Sequence, residues 1–400
     1  MVSIKHSFNR ISFFSFFTGA GFLDLGFEKA GFLSVFANEI CDDFADVYVY
    51  SRKKMGIDMP RFGLHRKSID CFLNNRSDKQ FLADSIKTVK HENKIFGFIG
   101  GPPCPDFSVA GKNAGSTGEH GRLSSSYTDL IIENRPDFFV FENVKGLWKT
   151  KRHREFFFSL LARFENADYA LSYRLVNALE YGAPQDRERI ILIGVQKRFI
   201  NCDGVFSSRI NNFPWTKHIK YDIGNLRKID WPKTSPFMER SILPLPHNII
   251  PELTVEYWFE KNNVLKHPNS QDFFIPRAGL DKMKTFSEGD DSKKCFKRLH
   301  RWRYSPTVAY GNNEVHLHPY LPRRLSVAEA LSLQSLPAEF VLPDNISLTS
   351  KFKTIGNGVP YLLARGVAET LMDYILTQFK KAEGEEYYDD LHSIRCLQVN

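Results

Sequence analysis

The chain has 400 residues, 42% of them hydrophobic and 25% charged, and a formal net charge of +8. That length allows two or three structural units around a sizeable core, and the lack of any apolar run of about 18 residues argues against a membrane span. Six scattered cysteines without a CxxC pair argue against a structural zinc site or a disulfide framework and suit a reducing cytoplasm.

The basic N-terminus precedes an apolar run, as in a signal peptide. The run "ISFFSFF" (Ile11–Phe17) instead passes into Thr18-Gly19-Ala20-Gly21 and a helical pattern, without a small-residue cleavage site, and predicts a buried strand. Further strands are predicted at "FLSVFAN" (Phe32–Asn38), "IFGFIG" (Ile95–Gly100), "FFVFEN" (Phe138–Asn143) and "RIILIGV" (Arg189–Val195). Near-continuous apolar strands need cover on both faces. The stretches "LDLGFEKAG" and "RHREFFFSLLARF" have helical spacing, and strand–helix alternation predicts a doubly wound α/β sheet over residues 1–196.

After Val195 the rhythm breaks. Residues 197–322 are Pro-rich and aperiodic, which predicts a separate, smaller domain, irregular or β-rich. From Lys197 to Tyr320 there are 20 Lys and Arg against 13 Asp and Glu, so nearly all of the positive excess sits there. Such a concentration suits a polyanion, most simply nucleic acid. "RRLSVAEALSLQSL" (Arg323–Leu336) predicts a helix, and Leu363, Val367, Leu371, Ile375 and Phe379 mark a second, amphipathic one. Residues 323–385 are expected to return to the first domain, and 386–400 to form a loose acidic tail.

Gly19 and Gly21 follow the first strand and precede a helix, where glycines let a ligand approach the backbone at a helix N-terminus. Glu39 ends the second strand and can accept the ribose hydroxyls of a nucleoside-containing cofactor. Cys104 follows another strand end, stiffened by Pro102 and Pro103, and a thiol so placed becomes a nucleophile if its thiolate is favoured. Glu142 and Asn143 end a further strand; Gln185, Arg187 and Arg189 precede one, with the arginines on one side by alternation. Together they would supply a nucleophile, an acid and an anion clamp.

In combination these motifs resemble those of the DNA cytosine-5 methyltransferases of bacterial restriction-modification type. "FTGAGFLDLGFEKAGF", "GGPPCPDFSVAG", "FENV", "QDRER", "RRLSVAEALSLQSLP" and "TIGNGVP" are similar to the family's motifs, in its order, from Phe17 to Pro360. The resemblance implies a Rossmann-like S-adenosylmethionine-dependent methyltransferase fold, with residues 197–322 as the target-recognition domain. It implies Cys104, Glu142, Arg187 and Arg189 as catalytic residues. S-adenosylmethionine, leaving as S-adenosylhomocysteine, is expected near Phe17, Gly19, Ala20, Gly21, Leu23, Glu39, Ile40, Ser68, Ile69, Gly101, Pro103, Leu123, Asn357 and Val359. DNA is expected at Ser108, Gly111, Lys112, Arg122, Asn143, Gln185, Arg323 and Arg324.

Four positions depart from the family pattern: Phe22 and Ser68 stand where Gly and Asp are usual, Pro105 where Gln is frequent, and Ser332 where Arg is common. The implied reaction adds the Cys104 thiolate to C6 of a flipped cytosine, so that C5 attacks the methyl group. Glu142 would neutralise N3, Arg187 bind the O2 side or hold the Glu, and Arg189 order the Cys loop and a phosphate. The Gly- and Ser-rich segment Gly111–Tyr127 is the expected closing loop. No metal is called for. The expected partner is double-stranded DNA, bound by a monomer in the bacterial cytoplasm at the nucleoid, which leaves open a cognate restriction endonuclease acting independently. A nicotinamide-linked oxidoreductase would use the Gly loop and Glu39 but leaves the other motifs idle, and an RNA-directed relative fits a long basic insert less well.

Overall fold

A computed structural model of the chain describes residues 11–92, 95–103, 119–200, 209–276, 279–293, 295–308, 310 and 315–383. The phenylalanine-rich runs become strands β1 (Ser12–Phe16), β2 (Leu33–Asn38), β4 (Phe96–Gly100) and β5 (Phe138–Val144), with the short β3 (Leu64–His65) beside β2. β6 (Tyr169–Asn177) and β8 (Glu188–Gln196) complete a seven-stranded sheet of order β3-β2-β1-β4-β5-β8-β6. β1 to β5 run parallel, whereas β8 is antiparallel to both β5 and β6. β6 escaped the sequence reading because Ser172 and Arg174 interrupt its apolar pattern at the sheet edge.

Alternation decides the two faces. Phe13, Phe138 and Val140 enter one core with Leu363, Val367, Leu371 and Ile375 of the C-terminal helix Tyr361–Glu383. Phe14, Phe16, Phe139 and Phe141 enter the other, with Leu160 and Phe164 of the helix Lys151–Asn166. The first helix, α1 (Phe22–Lys29), lies close against the C-terminal helix: a side chain on Gly26 would stand 2.6 Å from the Ala364 Cβ.

Two expectations need correction. The closing loop Gly111–Tyr127 contains the start of a helix, Glu119–Asn134, because Tyr127, Leu130 and Ile131 bury one helical face beneath the sheet; 111–118 lie outside the described residues. The helix expected over Arg323–Leu336 spans only Val327–Leu333, since Ser326 and Glu329 close a capping box at its start and Ser335 turns at φ +56 after its end. That helix packs against the first domain and the basic segment together. Val327 and Leu331 share a core with Val255, Phe259 and Leu299 of the basic segment as well as with Phe22 and Leu25 of α1. The basic segment itself is irregular rather than β-rich: among its described residues the only named strand is the two-residue β9 (Ser305–Pro306), which pairs in parallel with β7 (Gln185–Asp186).

The turn from β1 into α1 is built around a buried acid. Asp24 is fully buried and accepts hydrogen bonds from Ser15 Oγ (2.7 Å), Thr18 Oγ1 (2.7 Å) and Tyr48 Oη (3.2 Å). Tyr48 comes from α2 (Asp42–Met55), and its ring fills the place a side chain would take at Gly21, 2.7 Å from that Cβ position. Gly21 is required twice over, since its φ is +82.

Two predictions follow from this packing. A methyl at Gly97 would lie 2.2 Å from the buried Phe138 ring, so Gly97→Ala is expected to destabilise by about 1–3 kcal/mol in denaturant titrations. Phe138→Leu in the same chain should recover part of that loss. Burial lifts the Asp24 pKa from 3.8 to about 6, with the Ser15 and Thr18 hydroxyls opposing the shift. The folded state then holds the proton more tightly than the unfolded chain, so this contribution is fully present below pH 4 and is lost as pH rises through 6. The loss is on the order of 3 kcal/mol. Asp24→Asn should therefore gain on the wild type between pH 4 and pH 7 in denaturant titrations, and parallel stability profiles would contradict this.

Candidate active site

Because β8 runs against β5, its first residues stand at the C-terminal end of β5, with Arg189 in register with Val144. Glu142, near that end, is 8% exposed, and its Oε1 receives the Arg189 Nε at 2.9 Å. Burial pushes the Glu142 pKa up, while the positive charges of Arg189 and then Arg187 resist. The other carboxylate oxygen lies against Gly101, where a side chain would come within 2.6 Å of it. Asn143 donates from Nδ2 to the Pro102 carbonyl at 3.4 Å, and its Oδ1 accepts the Val144 N–H at 2.8 Å. The end of β5 thus grips the backbone that leads into Cys104. Cys104 itself, with Ser108, Gly111 and Lys112, lies outside the described residues.

The two arginines divide the work differently from the sequence expectation. Arg189 holds the Glu. Arg187, 1% exposed, donates instead to the carbonyls of Val308 (2.7 Å), Gly356 (2.8 Å) and Gly358 (3.0 Å). It sits between β7 and β8, so it faces the segments packed over the sheet end rather than the acid. Burial and then the neighbouring Arg189 press its pKa down, and the carbonyl oxygens compensate the buried guanidinium. Its Nε has no hydrogen-bond partner among the described residues.

Gln185 and Asn143 were expected at the DNA, and both are buried instead. Gln185 donates to the Leu333 carbonyl (3.1 Å) and to Gln334 Oε1 (3.2 Å) and accepts the Val308 N–H (3.1 Å). Its side-chain amide is thus engaged within the protein at both ends. Arg323 is likewise committed, paired through both terminal nitrogens with the buried Glu329 at 2.7 and 2.9 Å. Arg324 lies over the Phe274 ring, 5.5 Å from its centre. Arg122 is exposed and pairs with Asp70 at 2.5 Å.

On the other side of β1, Glu39 Oε2 accepts the Gly19 N–H at 2.9 Å and its Oε1 accepts the Cys41 N–H at 2.8 Å. Burial raises its pKa and those N–H donors lower it. Gly19, at φ +57, has no atom of the described residues within 4 Å of where a side chain would stand, so among them the cradle before α1 is open to a ligand. Ile40 beside it is 63% exposed, an apolar face of the kind an adenine ring covers. Phe17 meets Tyr127 edge-on, with ring centres 6.0 Å apart. These features fit an adenosine cofactor. Ala20, Leu23 and Ile69, also expected there, turn their side chains into the cores and can offer only backbone. Asn357 is exposed at the end of the helix Leu348–Asn357, Val359 is buried, and Leu123 is half-buried in the helix after the Cys loop. Ser68 donates to Asp70, an acid the sequence reading passed over although it stands two residues away in "RKSID"; Asp70 also accepts the Ser126 hydroxyl at 2.7 Å.

Among the described residues no helix is long and apolar enough to cross a membrane, and no group of His, Cys, Asp and Glu could hold a metal ion. The family model for C-5 cytosine-specific DNA methylases matches residues 11–373. The chain is 53% identical to the Type II methyltransferase M.NmeDI of Neisseria meningitidis serogroup C, over 96% of this chain and 88% of that one. It is 29% identical to M.FnuDI of Fusobacterium nucleatum, over 90% and 94%. In fold it is similar to the S. pombe Dnmt2 methyltransferase, with a TM-score of 0.55 at 11% identity, covering 92% of this chain and 99% of that one. With the family's acid, arginine and glycine motifs gathered around one sheet edge, the chain belongs to the C-5 cytosine-specific DNA methylases.

Proposed function

We propose that this enzyme transfers a methyl group from S-adenosylmethionine to C5 of a cytosine flipped out of a specific duplex sequence, through a bond between Cys104 and C6. The observation that carries the reading is the buried Glu142, held by Arg189 against the backbone that leads to Cys104. Bound over Gly19 and Glu39, the cofactor supplies an electrophilic methyl group. The Cys104 thiolate adds to C6, and the pair of electrons displaced toward N3 is met by a proton held at Glu142. The raised pKa of Glu142 favours the protonated carboxyl that this donation needs. Arg189 holds the Glu142 carboxyl in place for this donation. C5 of the resulting enamine would take the methyl group, with S-adenosylhomocysteine as the leaving group; water would accept the C5 proton as the Cys104 thiolate leaves C6, and the N3 proton would return to Glu142.

The duplex must open for this, because a stacked cytosine offers C6 to no side chain. Relatives named Type II methyltransferases support a role in protecting host DNA, with any cognate endonuclease acting independently. The excess of cations in the basic segment supports duplex DNA as substrate, with affinity that falls as salt rises.

Transfer of labelled methyl to duplex DNA, with bisulfite mapping, tests the reading. Cys104→Ser is expected to abolish transfer while leaving S-adenosylhomocysteine binding intact. Glu142→Gln is expected to lower kcat by about 10²–10⁴-fold with little change in cofactor affinity. Full activity in either variant, or methyl on adenine, would refute the mechanism.

A further inference from the structure

Residues 1–196 hold 26 Lys and Arg against 23 Asp and Glu, so this half of the chain is close to neutral. One run departs from that balance. "KGLWKTKRHR" (Lys145–Arg154) carries five Lys and Arg and no acid. It forms the short helix Lys145–Lys149 and the first turn of the helix Lys151–Asn166. The topology puts the run at the active edge of the sheet. Lys145 directly follows β5, three residues beyond Glu142. β5 and β6 are both antiparallel to β8, hence parallel to each other, so the helix Lys151–Asn166 between them carries the chain back across the sheet. Its first turn therefore lies at the same edge as Glu142. Lys145 and Lys149 agree with this placement: each reaches Glu188, the residue between Arg187 and Arg189, at 3.1 Å.

The fold itself gives these cations little. Among the described residues Glu188 is the one carboxylate that pairs with them, and two lysines share it while about half of each stays open to solvent. Lys151 and Arg152 are exposed in the first turn of their helix, which holds no acid. That end of a helix is its positive pole, where acids stabilise and cations are unfavourable. Arg154 lies over the Trp148 ring, 5.6 Å from its centre, and Trp148 meets the buried Phe157 edge-on. The run is thus fixed from beneath by aromatic packing, with its charges turned outward. Cations kept where their own surroundings disfavour them point to an outside partner.

We infer that Lys145–Arg154 is a phosphate-binding ridge, which holds the sugar–phosphate backbone of the duplex beside the active site. Lysine offers a compact charge on a flexible stem, suited to a phosphate rather than to the donor and acceptor pattern of a base edge. The ridge lies outside residues 197–322, so the duplex is gripped from the catalytic side as well as by the basic segment. Phosphates carry no sequence information, so these contacts add affinity and leave discrimination alone. The inference rests on the proposed function and deepens it by assigning a second contact surface for the same duplex.

The test uses two duplexes, one carrying the sequence that bisulfite mapping shows the wild type to methylate, the other a scramble of it. Fluorescence anisotropy gives Kd for each between about 50 and 200 mM salt, with S-adenosylhomocysteine present. In Lys151→Gln/Arg152→Gln, Kd is expected to rise about 10-fold on both duplexes, and the slope of log Kd against log salt to fall by about 2. The loss in methylation should appear in KM for DNA rather than in kcat. Lys151→Glu/Arg152→Glu should bind more weakly still, yet melt no lower than the wild type, because acids suit a helix start. Lys53 and Lys54 are exposed in the last turn of α2, which returns between the parallel β2 and β3 to the opposite edge of the sheet. Lys53→Gln/Lys54→Gln should therefore keep the wild-type slope. A wild-type slope in the ridge variants, an equal change in the Lys53 and Lys54 variant, or a loss confined to one duplex would overturn the inference. A wild-type enzyme that binds S-adenosylhomocysteine but leaves duplex DNA unmethylated would overturn the proposed function instead.

Discussion

The site depends on one reversal of direction in the sheet. A strand running with β5 would bring its own C-terminal end to the place where Glu142 and Asn143 emerge. β8 runs the other way, so its beginning arrives there, and with it the arginine that meets the acid. The pairing register then does what a flexible loop could not. It fixes a carboxylate and a guanidinium at 2.9 Å in a buried setting, where neither is easily hydrated. Gly101 completes the constraint, because any side chain there would displace the carboxylate from the backbone that leads to Cys104.

A second consequence of β8's start is the joint around Arg187. Three backbone carbonyls, from Val308, Gly356 and Gly358, converge on one buried guanidinium, and Gln185 ties the same region to Leu333 and Gln334. Gln334 in turn donates to the Ile355 carbonyl at 2.5 Å. The catalytic edge, the basic segment and the C-terminal helices therefore meet at a few hydrogen bonds from buried polar side chains. Buried polar networks of this kind fix one relative arrangement of the parts they join. In the proposed reaction this makes the recognition segment and the catalytic acid parts of one rigid frame.

Much of this was legible in the sequence, for physical reasons. Phenylalanine runs such as "SFFSF" and "FFVFENV" have no fate but strands buried on both faces, and each predicted strand was found within about a residue or two of its expected limits. Glycine and acid at strand ends pointed to the open turn before α1, where the Gly19 N–H meets Glu39. What the sequence concealed was partnership. Alternation placed Arg187 and Arg189 together, but only the pairing of β8 with β5 shows which of them meets Glu142. Gln185 and Asn143 look like surface recognition groups until their carbonyl partners appear. The helix beginning at Glu119 was hidden by serines: Ser125 and Thr128 bond back to carbonyls four residues earlier, while Tyr127 and Leu130 supply the apolar face. Asp24 was masked as an ordinary helix-start acid, although it organises the turn that forms the cradle.

The central claim is that a thiol at position 104 bonds to the pyrimidine ring while Glu142 supplies the proton at N3. A duplex with 5-fluorocytosine at the target position, incubated with the enzyme and S-adenosylmethionine, should stop the reaction after methyl transfer because fluorine cannot leave as the proton does. Mass spectrometry of the digested complex should then find the oligonucleotide attached to the peptide containing Cys104. Methylated DNA without any such attachment, or an attachment at another cysteine, would contradict the account.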